Sequence, residues 1–417
     1  MNFFKPMQKK LLLEVLLNLV VMTATFLMMA LAIEGGMQVC RHFSGASPDE
    51  KLYDYDAVLG WKTKPNLSIE LLREGRKILM VTNSKGFRGP EIPYEKSPGT
   101  ERILILGKSF AQSVQVRFEE LFSERLKSDL REQFPGSVEI LNTGTAGHST
   151  DQVLLFFRSE GVRYSPDLTI LMFHDNDIWF NNQDHFFDKP KPHFIESGGE
   201  LVLTGTPVPK FLPQIPTAAT AVKSPGFFKA IKNELESYSL FYQWIRAKVR
   251  ANPVLFRLSI RLGLSGKDGA KVPDDFRAWK RHRDPDIDQA WKITEKLLLE
   301  IRRQAEAAGS RFVIFYVPSR PAIIPEHWYA TRMQYGLNDR DWNVNQITEE
   351  LQKFCQVNQI DLIEPTGDFI RAAKEEFKTK PLYYAMDSHW TPEGHQVAAN
   401  TMSRWVLKNF MSRKATA

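Results

Sequence analysis

Arg102-Ile-Leu-Ile-Leu106 runs directly into Gly107-Lys108-Ser109-Phe110, and this junction decides how the chain reads. A short apolar run rich in Leu and β-branched residues, with no polar interruption, marks a strand covered on both faces. The same texture returns at Ser137–Leu141, Asp167–Phe173, Arg311–Val317 and Ile360–Ile363. Between these runs the apolar spacing turns helical. Phe118–Phe134 carries Leu121, Phe122, Leu126 and Leu130 on one face, and helices are expected at Thr150–Gly161, Ile287–Ala308, Asn345–Gln356 and Pro392–Asn409. Gly309 is the expected stop of the third. Strands alternating with helices predict an α/β fold, a three-layer α/β/α sandwich around a parallel five-stranded sheet.

The alternation pauses after the third strand, so an insertion is expected at about 181–286 of this domain, which itself covers 100–410. The insertion holds a hairpin, Phe194–Leu203 around Gly198-Gly199, a helix near Ser237–Arg250 and a basic, Pro-interrupted loop from Lys267 to Arg283. Residues 34–99 read as a small β-rich collar, with turns at Asp56–Trp61 and Asn83–Arg88 around strands such as Lys77–Thr82.

Ahead of the collar, Val15–Ile33 is free of charge, and Leu11–Leu13 with Glu14 extends it by a turn. At about 1.5 Å per residue this nearly spans a ~30 Å hydrocarbon core. Lys5, Lys9 and Lys10 precede the run, Glu34 comes directly after it, and the next basic residue is Arg41. The positive end stays inside. The expected arrangement is a cytoplasmic tail (1–10), a signal anchor (11–33) and everything beyond it outside, on a single-pass protein of the inner membrane with a periplasmic domain. Ala30-Leu31-Ala32 also reads as a cleavage site, but the apolar stretch exceeds the ~7–15 residues of a removable signal, which favours an uncleaved anchor.

Composition narrows the rest. With 417 residues, 43% hydrophobic and 25% charged, the chain is neither disordered nor a small disulfide scaffold. A net charge of +6 is small for this length and argues for no nucleic-acid partner. The two cysteines, Cys40 and Cys355, form no CxxC or Cys/His cluster, so no structural zinc is expected.

In an open parallel sheet, ligands bind at the carboxyl ends of the strands. The residues directly after each strand are therefore the candidate chemistry: Lys108-Ser109-Phe110 after the first, Asn142-Thr-Gly144-Thr-Ala-Gly147-His148 after the second, His174-Asp175-Asn176-Asp177 after the third, and Asp387-Ser388-His389-Trp390-Thr391 late in the chain. A hydroxyl, glycine-rich backbone, an amide and an Asp/His pair are the parts of acyl transfer. His148, His174 and His395 are further histidines, with no other cluster to complete a metal site.

These blocks resemble the SGNH hydrolases, the GDSL-type lipase and esterase superfamily, from about Arg102 to Trp405. The resemblance implies a flavodoxin-like SGNH hydrolase fold with Ser109 as nucleophile. It also implies His389 as base and Asp387 as its orienter. The oxyanion donors would be the backbone N–H groups of Ser109 and Gly147 and the Asn176 side chain. No metal or organic cofactor is implied. The Leu59–Trp61 and Gly86–Arg88 segments and the Phe194–Leu203 hairpin resemble membrane-anchored bacterial members.

Two positions depart from the common pattern. Lys108 stands where the family usually has Asp, which reads either as reduced activity or as positive charge near an acidic substrate. Asp387 and His389 are spaced Asp-x-His rather than Asp-x-x-His. That shorter spacing, continued as Trp390-Thr391, resembles the branch that O-acetylates secreted polysaccharides. The expected function is thus an extracytoplasmic serine esterase or acyltransferase acting on acylated small molecules, glycans or lipids. The alternative is a non-catalytic binding or assembly subunit of envelope polysaccharide modification or export. A lipase with a lid near Phe227, Phe228 and Ile231 is a further reading.

Overall fold

Two hairpins follow residue 51 in the computed structural model. β1 (Tyr53–Asp56) pairs antiparallel with β2 (Gly60–Thr63), and β3 (Ser68–Arg73) with β4 (Arg76–Val81). The second is closed by Glu74-Gly75, both at positive φ (49° and 75°), the two-residue turn whose twist matches paired strands. Leu71, Ile78 and Met80 bury one face of that hairpin against Leu52 and Val114. This is the β-rich collar the sequence predicts. The structure describes residues 18, 21–38, 51–134, 136–210, 239–262, 271–377, 380–384 and 387–412. Lys5, Lys9, Lys10, Cys40, Phe227, Phe228 and Ile231 lie outside the described residues.

The core sheet starts with β5 (Thr100–Leu106), β6 (Ser137–Asn142) and β7 (Leu168–His174). Two small antiparallel pairs come next, β8 (His185–Phe186) with β9 (Lys189–Pro190) and β10 (His193–Ser197) with β11 (Glu200–Thr204), the latter turning on Gly198-Gly199 as expected. β12 (Arg311–Val317) and β13 (Asp361–Ile363) complete a parallel sheet of order β13-β12-β7-β5-β6.

Alternate residues of β5 feed opposite layers, as the two-residue period of a strand requires. Ile103 and Ile105 pack with Leu126 and Leu130 of helix Phe122–Gln133 and with Val397 and Met402 of helix Pro392–Val406. Leu104 and Leu106 pack with Leu154 and Phe157 of helix Thr150–Ser159 and Leu297 and Ile301 of helix Pro285–Ala307. The sheet is therefore covered on both faces.

The stretch expected as one helix from Phe118 to Phe134 is broken. A 3-10 turn, Phe118–Glu120, precedes the α-helix because Glu120 reaches back to the backbone N–H and guanidinium of Arg117, and Leu121 is extended (φ −62°, ψ 142°). Within the basic loop expected up to Arg283, Asp274–Trp279 is likewise a 3-10 turn with Trp279 buried.

Strand order sets where a ligand can enter. The chain leaves β5 toward β6 on one side of the sheet and leaves β7 toward β12 on the other. The crevice outside the carboxyl ends of neighbouring β5 and β7 is thus the topological switch point.

The chain divides into two compact units, 48–213 with 256–417, and 1–47 with 214–255. In the second unit a helix runs from Val21 to Gln38, long and apolar enough to cross a membrane. There the Glu34 carboxylate accepts from Ser239 Oγ (2.8 Å) and Phe241 N (2.9 Å) at the start of helix Leu240–Ala251, which Ser239 caps.

Candidate active site

Ser109 opens a four-residue helix, Ser109–Gln112, immediately after β5. The loop after β6 lies against it. Thr143 N donates to Ile105 O (3.0 Å), Asn142 Nδ2 to Ala111 O (2.8 Å), and Gly144 approaches so closely that a Cβ there would sit 2.4 Å from Gln112 N. Gly147, at φ +83°, is wedged under Trp61 and Phe186, whose rings a Cβ would meet at 3.0 and 3.1 Å. Arg88, buried in the collar, donates to the carbonyls of Gln112 (3.3 Å), Ser113 (2.5 Å) and Val116 (2.6 Å). Its guanidinium braces the chain just after the nucleophile candidate, and burial lowers its pKa to about 10.

After β7, Asn176 begins a short helix and meets Lys108. The Lys108 ammonium donates to Asn176 Oδ1 and pairs with Asp177 Oδ2 at 2.9 Å, with side-chain exposures of 8% and 4% for Lys108 and Asp177. Asp177 Oδ2 also accepts from His174 N (2.9 Å). The positive charge of Lys108 is therefore paired inside the protein, although the residue also lines the cavity that holds Ser109 and Asn176. With Oδ1 of Asn176 engaged by Lys108, Nδ2 is left without a partner among the described residues. His174 is half-buried beside Lys108, and desolvation first, then that charge, lowers it to about 3, so it is neutral.

Asp387 and His389 sit on a tight loop whose construction explains the rest of the motif. Trp390 is fully buried among Phe110, Phe122, Phe315 and Phe369. Thr391 caps helix Pro392–Val406 by accepting from Gly394 N, and Pro392 supplies its first turn. The loop folds back through Tyr384 N to His389 O (2.8 Å), with Ser388 at φ +64°. Trp and Thr thus anchor the segment, and the two polar residues before them project at the sheet edge.

His389 Nδ1 lies 3.4 Å from Asp387 Oδ1, and the imidazole rests on the Phe110 ring (4.6 Å between centroids). Burial alone would raise Asp387, but His389 and Gln115, whose Nε2 donates at 2.7 Å, hold its carboxyl below the usual range. Both ring nitrogens of His389 are without a hydrogen-bond partner among the described residues, so no hydrogen bond joins them to Ser109. In resting enzymes such bonds are often long and tighten only with substrate.

Ser109, Asn176, Asp387 and His389 line one cavity of about 370 Å³, with Phe276, Trp279 and Tyr335 on its far wall. Gly147 lines a neighbouring cavity that also reaches Ser109 and His389. Trp279 is held by its indole N–H donating to buried Asp175 (2.9 Å), which also accepts from Tyr316 Oη (2.7 Å). Burial raises that carboxyl to about 6 even so. Of the other histidines singled out, His174 lines this cavity too, and His148 and His395 lie elsewhere. His148 bonds Trp61 O (2.9 Å), and His395 Nδ1 accepts from Phe122 N (3.2 Å). Gln115 and the 276–335 wall were not anticipated from the sequence; Phe110 stood in the block after the first strand, but its place under the imidazole is set by long-range packing.

Residues 276–416 match the model of a family described as the SGNH hydrolase-like domain of the acetyltransferase AlgX. That stretch holds β12, β13 and the Asp387/His389 loop. No curated protein sequence matches the chain. Among solved structures, the acetyl xylan esterase AlAXEase is 12% identical at a TM-score of 0.38, covering 73% of this chain and 99% of its own. A catalytic mutant of the acetylxylan esterase Axe2 from Geobacillus stearothermophilus gives 10%, 0.36, 73% and 93%. A GDSL-like lipase from Bacteroides thetaiotaomicron gives 9%, 0.31, 74% and 88%. Over residues 276–416 the chain is thus similar to an SGNH hydrolase-like domain, and that stretch supplies two strands of the five-stranded parallel sheet and the Asp387/His389 loop at its carboxyl edge.

Proposed function

We propose that this protein is an extracytoplasmic serine enzyme that cleaves or transfers ester-linked acyl groups of envelope or exported glycans or lipids. Ser109 attacks the ester carbonyl while His389 accepts its proton, and Asp387 fixes the imidazole and stabilises the imidazolium. The backbone N–H groups of Ser109 and Gly147 and the Nδ2 of Asn176 receive the oxyanion. His389 then returns the proton to the departing alcohol. The acyl-enzyme is released to water or to a hydroxyl.

The observation that carries this reading is convergence. Ser109, Asn176, Asp387 and His389 come from three distant chain blocks and line one cavity at the switch point of the sheet. Lys108 supports it further, because its bond to Asn176 Oδ1 sets the amide with its donor end uncommitted. The outside location is supported by the lysines before the apolar helix and by Glu34 after its apolar run. The test is a fluorophosphonate probe on the purified protein, followed by p-nitrophenyl esters of graded chain length. Labelling at Ser109 with ester turnover is the expected result. An intact, folded protein that neither labels nor turns over would favour the assembly subunit instead.

A further inference from the structure

Helix Leu240–Ala251, in the insertion, turns apolar side chains the wrong way for a core helix. Helix Phe122–Gln133 buries Leu126 and Leu130, but here Trp244 is 51% exposed and Ile245 is exposed beside it. Phe241 stacks on Trp244 with 6.2 Å between ring centroids, and Lys248 Nζ stands 5.9 Å from the Trp244 ring. With 3.6 residues to a turn, positions 241, 244, 245 and 248 share one face. The outward face is therefore aromatic and aliphatic, with a lysine among the rings.

Charge along this stretch has one sign. From Leu240 to Leu262 the sequence holds Arg246, Lys248, Arg250, Arg257 and Arg261 and neither Asp nor Glu. The 12 residues of the helix rise only about 18 Å, well short of a ~30 Å hydrocarbon core. A short basic helix with an apolar face is built to lie on a bilayer, not to cross it.

The start of this helix is fixed to the end of the apolar helix Val21–Gln38, inside one compact unit. Glu34 is the first charged residue after the run Val15–Ile33. One of its carboxylate oxygens accepts from Ser239 Oγ (2.8 Å) and Phe241 N (2.9 Å), and the other accepts from Gln38 Nε2 (2.6 Å). An ionised carboxylate is costly in hydrocarbon, so Glu34 marks the level at which a crossing helix leaves it. The two bonds hold Phe241 at that level, with Tyr242 and Trp244 within a turn of it. Trp and Tyr collect at this depth in membranes because their rings are apolar and their tips polar.

A protein partner is the other candidate occupant of the face. The core of a protein interface is depleted of charge, whereas Lys248 stands in the middle of these rings. A bilayer accommodates it, because the methylene stem lies in the apolar layer while the ammonium reaches the phosphates.

We propose that helix Leu240–Ala251 lies in the plane of the membrane where Glu34 emerges, with Phe241, Trp244 and Ile245 at the boundary between headgroups and acyl chains. The Lys248 ammonium meets the phosphates of anionic lipids. The protein thus has a second, charge-dependent hold on the membrane besides its crossing helix, and the insertion is seated on the surface instead of hanging from a single tether. This rests on the reading of Val21–Gln38 as a crossing.

The test uses the full chain carrying Cys40→Ser, reconstituted into phosphatidylcholine vesicles with or without phosphatidylglycerol. Bimane is attached through Ile245→Cys or, as a reference inside the crossing, through Met22→Cys; Cys355 is buried and stays unlabelled. Lipids with a nitroxide near the headgroup or near the chain end report depth by quenching. The Ile245→Cys probe should be quenched by the shallow nitroxide, more strongly with phosphatidylglycerol, and high salt should remove the difference. Lys248→Gln should lower the ratio of membrane-seated to water-exposed probe roughly fivefold, the scale of one basic residue at an anionic surface. The Met22→Cys probe should be quenched by the deep nitroxide in both mixtures. Trp244→Cys, on the same face, repeats the measurement if Ile245→Cys lowers the melting temperature. Quenching at Met22→Cys with only aqueous iodide reaching Ile245→Cys would overturn the interfacial helix and leave the crossing in place. Quenching at Ile245→Cys that ignores phosphatidylglycerol and Lys248→Gln would overturn the role of anionic lipid. No lipid quenching at Met22→Cys in a folded protein would overturn the crossing and the proposal with it.

Discussion

Lys108 Nζ and Asp177 Oδ2 face each other at 2.9 Å with both side chains almost fully buried, and the same ammonium holds the Asn176 carbonyl oxygen. The family's usual Asp at this position would set two carboxylates against each other here. Lys108 instead forms an ion pair that orients the neighbouring amide. The departure at residue 108 is thus accommodated by residue 177.

Lys108→Met removes one partner and leaves a buried carboxylate, which typically costs about 3–5 kcal/mol. A clear fall in melting temperature is expected. Lys108→Met/Asp177→Leu should regain most of the stability without regaining turnover, because Asn176 Oδ1 then keeps only its contact to His174 Nδ1 (2.9 Å). Full activity in the double variant would show that Lys108 has no part in positioning Asn176.

Ser109→Ala should abolish ester turnover while the melting temperature stays close to wild type, since the side chain is small and lies at the edge of the cavity. Residual acceleration should be on the order of 10³–10⁴ over water, from binding and oxyanion groups alone. If more than a tenth of the activity survives, another residue is the nucleophile.

Asn176→Ala should depress kcat by about 10²–10³ with little change in KM, as for a donor aimed at charge that develops only in the transition state. A pure KM effect would assign Asn176 to ground-state binding.

What the sequence makes legible here is the periodic part. The unbroken runs at 102–106, 167–173 and 311–317 announce buried parallel strands, and a run of chemistry-bearing residues directly after a strand can only lie at its carboxyl edge. The Asp-x-His-Trp-Thr string is legible as a block, but the reason for its Trp and Thr is not. Trp390 fills a core hole formed by four phenylalanines far apart in the chain, and Thr391 serves a helix start. The partner of Lys108 could not be read at all, because pairing residue 108 with residue 177 depends on β5 and β7 being neighbours, a consequence of crossover direction. The collar was visible as strands only. That Arg76 would reach Tyr384, and Trp61 the Gly147 loop, is set by long-range packing that no local pattern encodes.

The hairpin tie predicts an acid dependence. Burial would raise Glu120, but Arg76 and Arg117 hold its carboxyl down to about 2, against an ordinary 4.5. A depressed folded-state pKa gives stability that is fully present above about pH 4.5 and is lost as pH falls toward 2. Glu120→Gln should therefore melt several degrees below wild type at neutral pH, with the gap closing between about pH 4.5 and 2. A constant gap across that window would mean that the charge of Glu120 contributes nothing and only its shape matters.

The last prediction concerns which side of a membrane the site faces. The helix Val21–Gln38 is apolar enough to cross a bilayer, and none of its side chains is buried in the protein. Lys5, Lys9 and Lys10 lie before it in sequence and Glu34 comes after the apolar run. Because basic residues flanking a crossing remain in the cytoplasm, the collar and the active site should lie outside. Alkaline phosphatase fused after Ala417 should be active, and a reporter that works only in the cytoplasm should be silent at the same position. Replacing Lys5, Lys9 and Lys10 with Glu should weaken or invert this orientation. The same fusion tests the anchor. An uncleaved chain stays in the membrane fraction through a carbonate wash, whereas cleavage after Ala32 would release a soluble protein about 3.5 kDa lighter, 32 residues at roughly 0.11 kDa each. Strong activity of the cytoplasmic reporter would overturn the topology and, with it, envelope or exported glycans as the substrate.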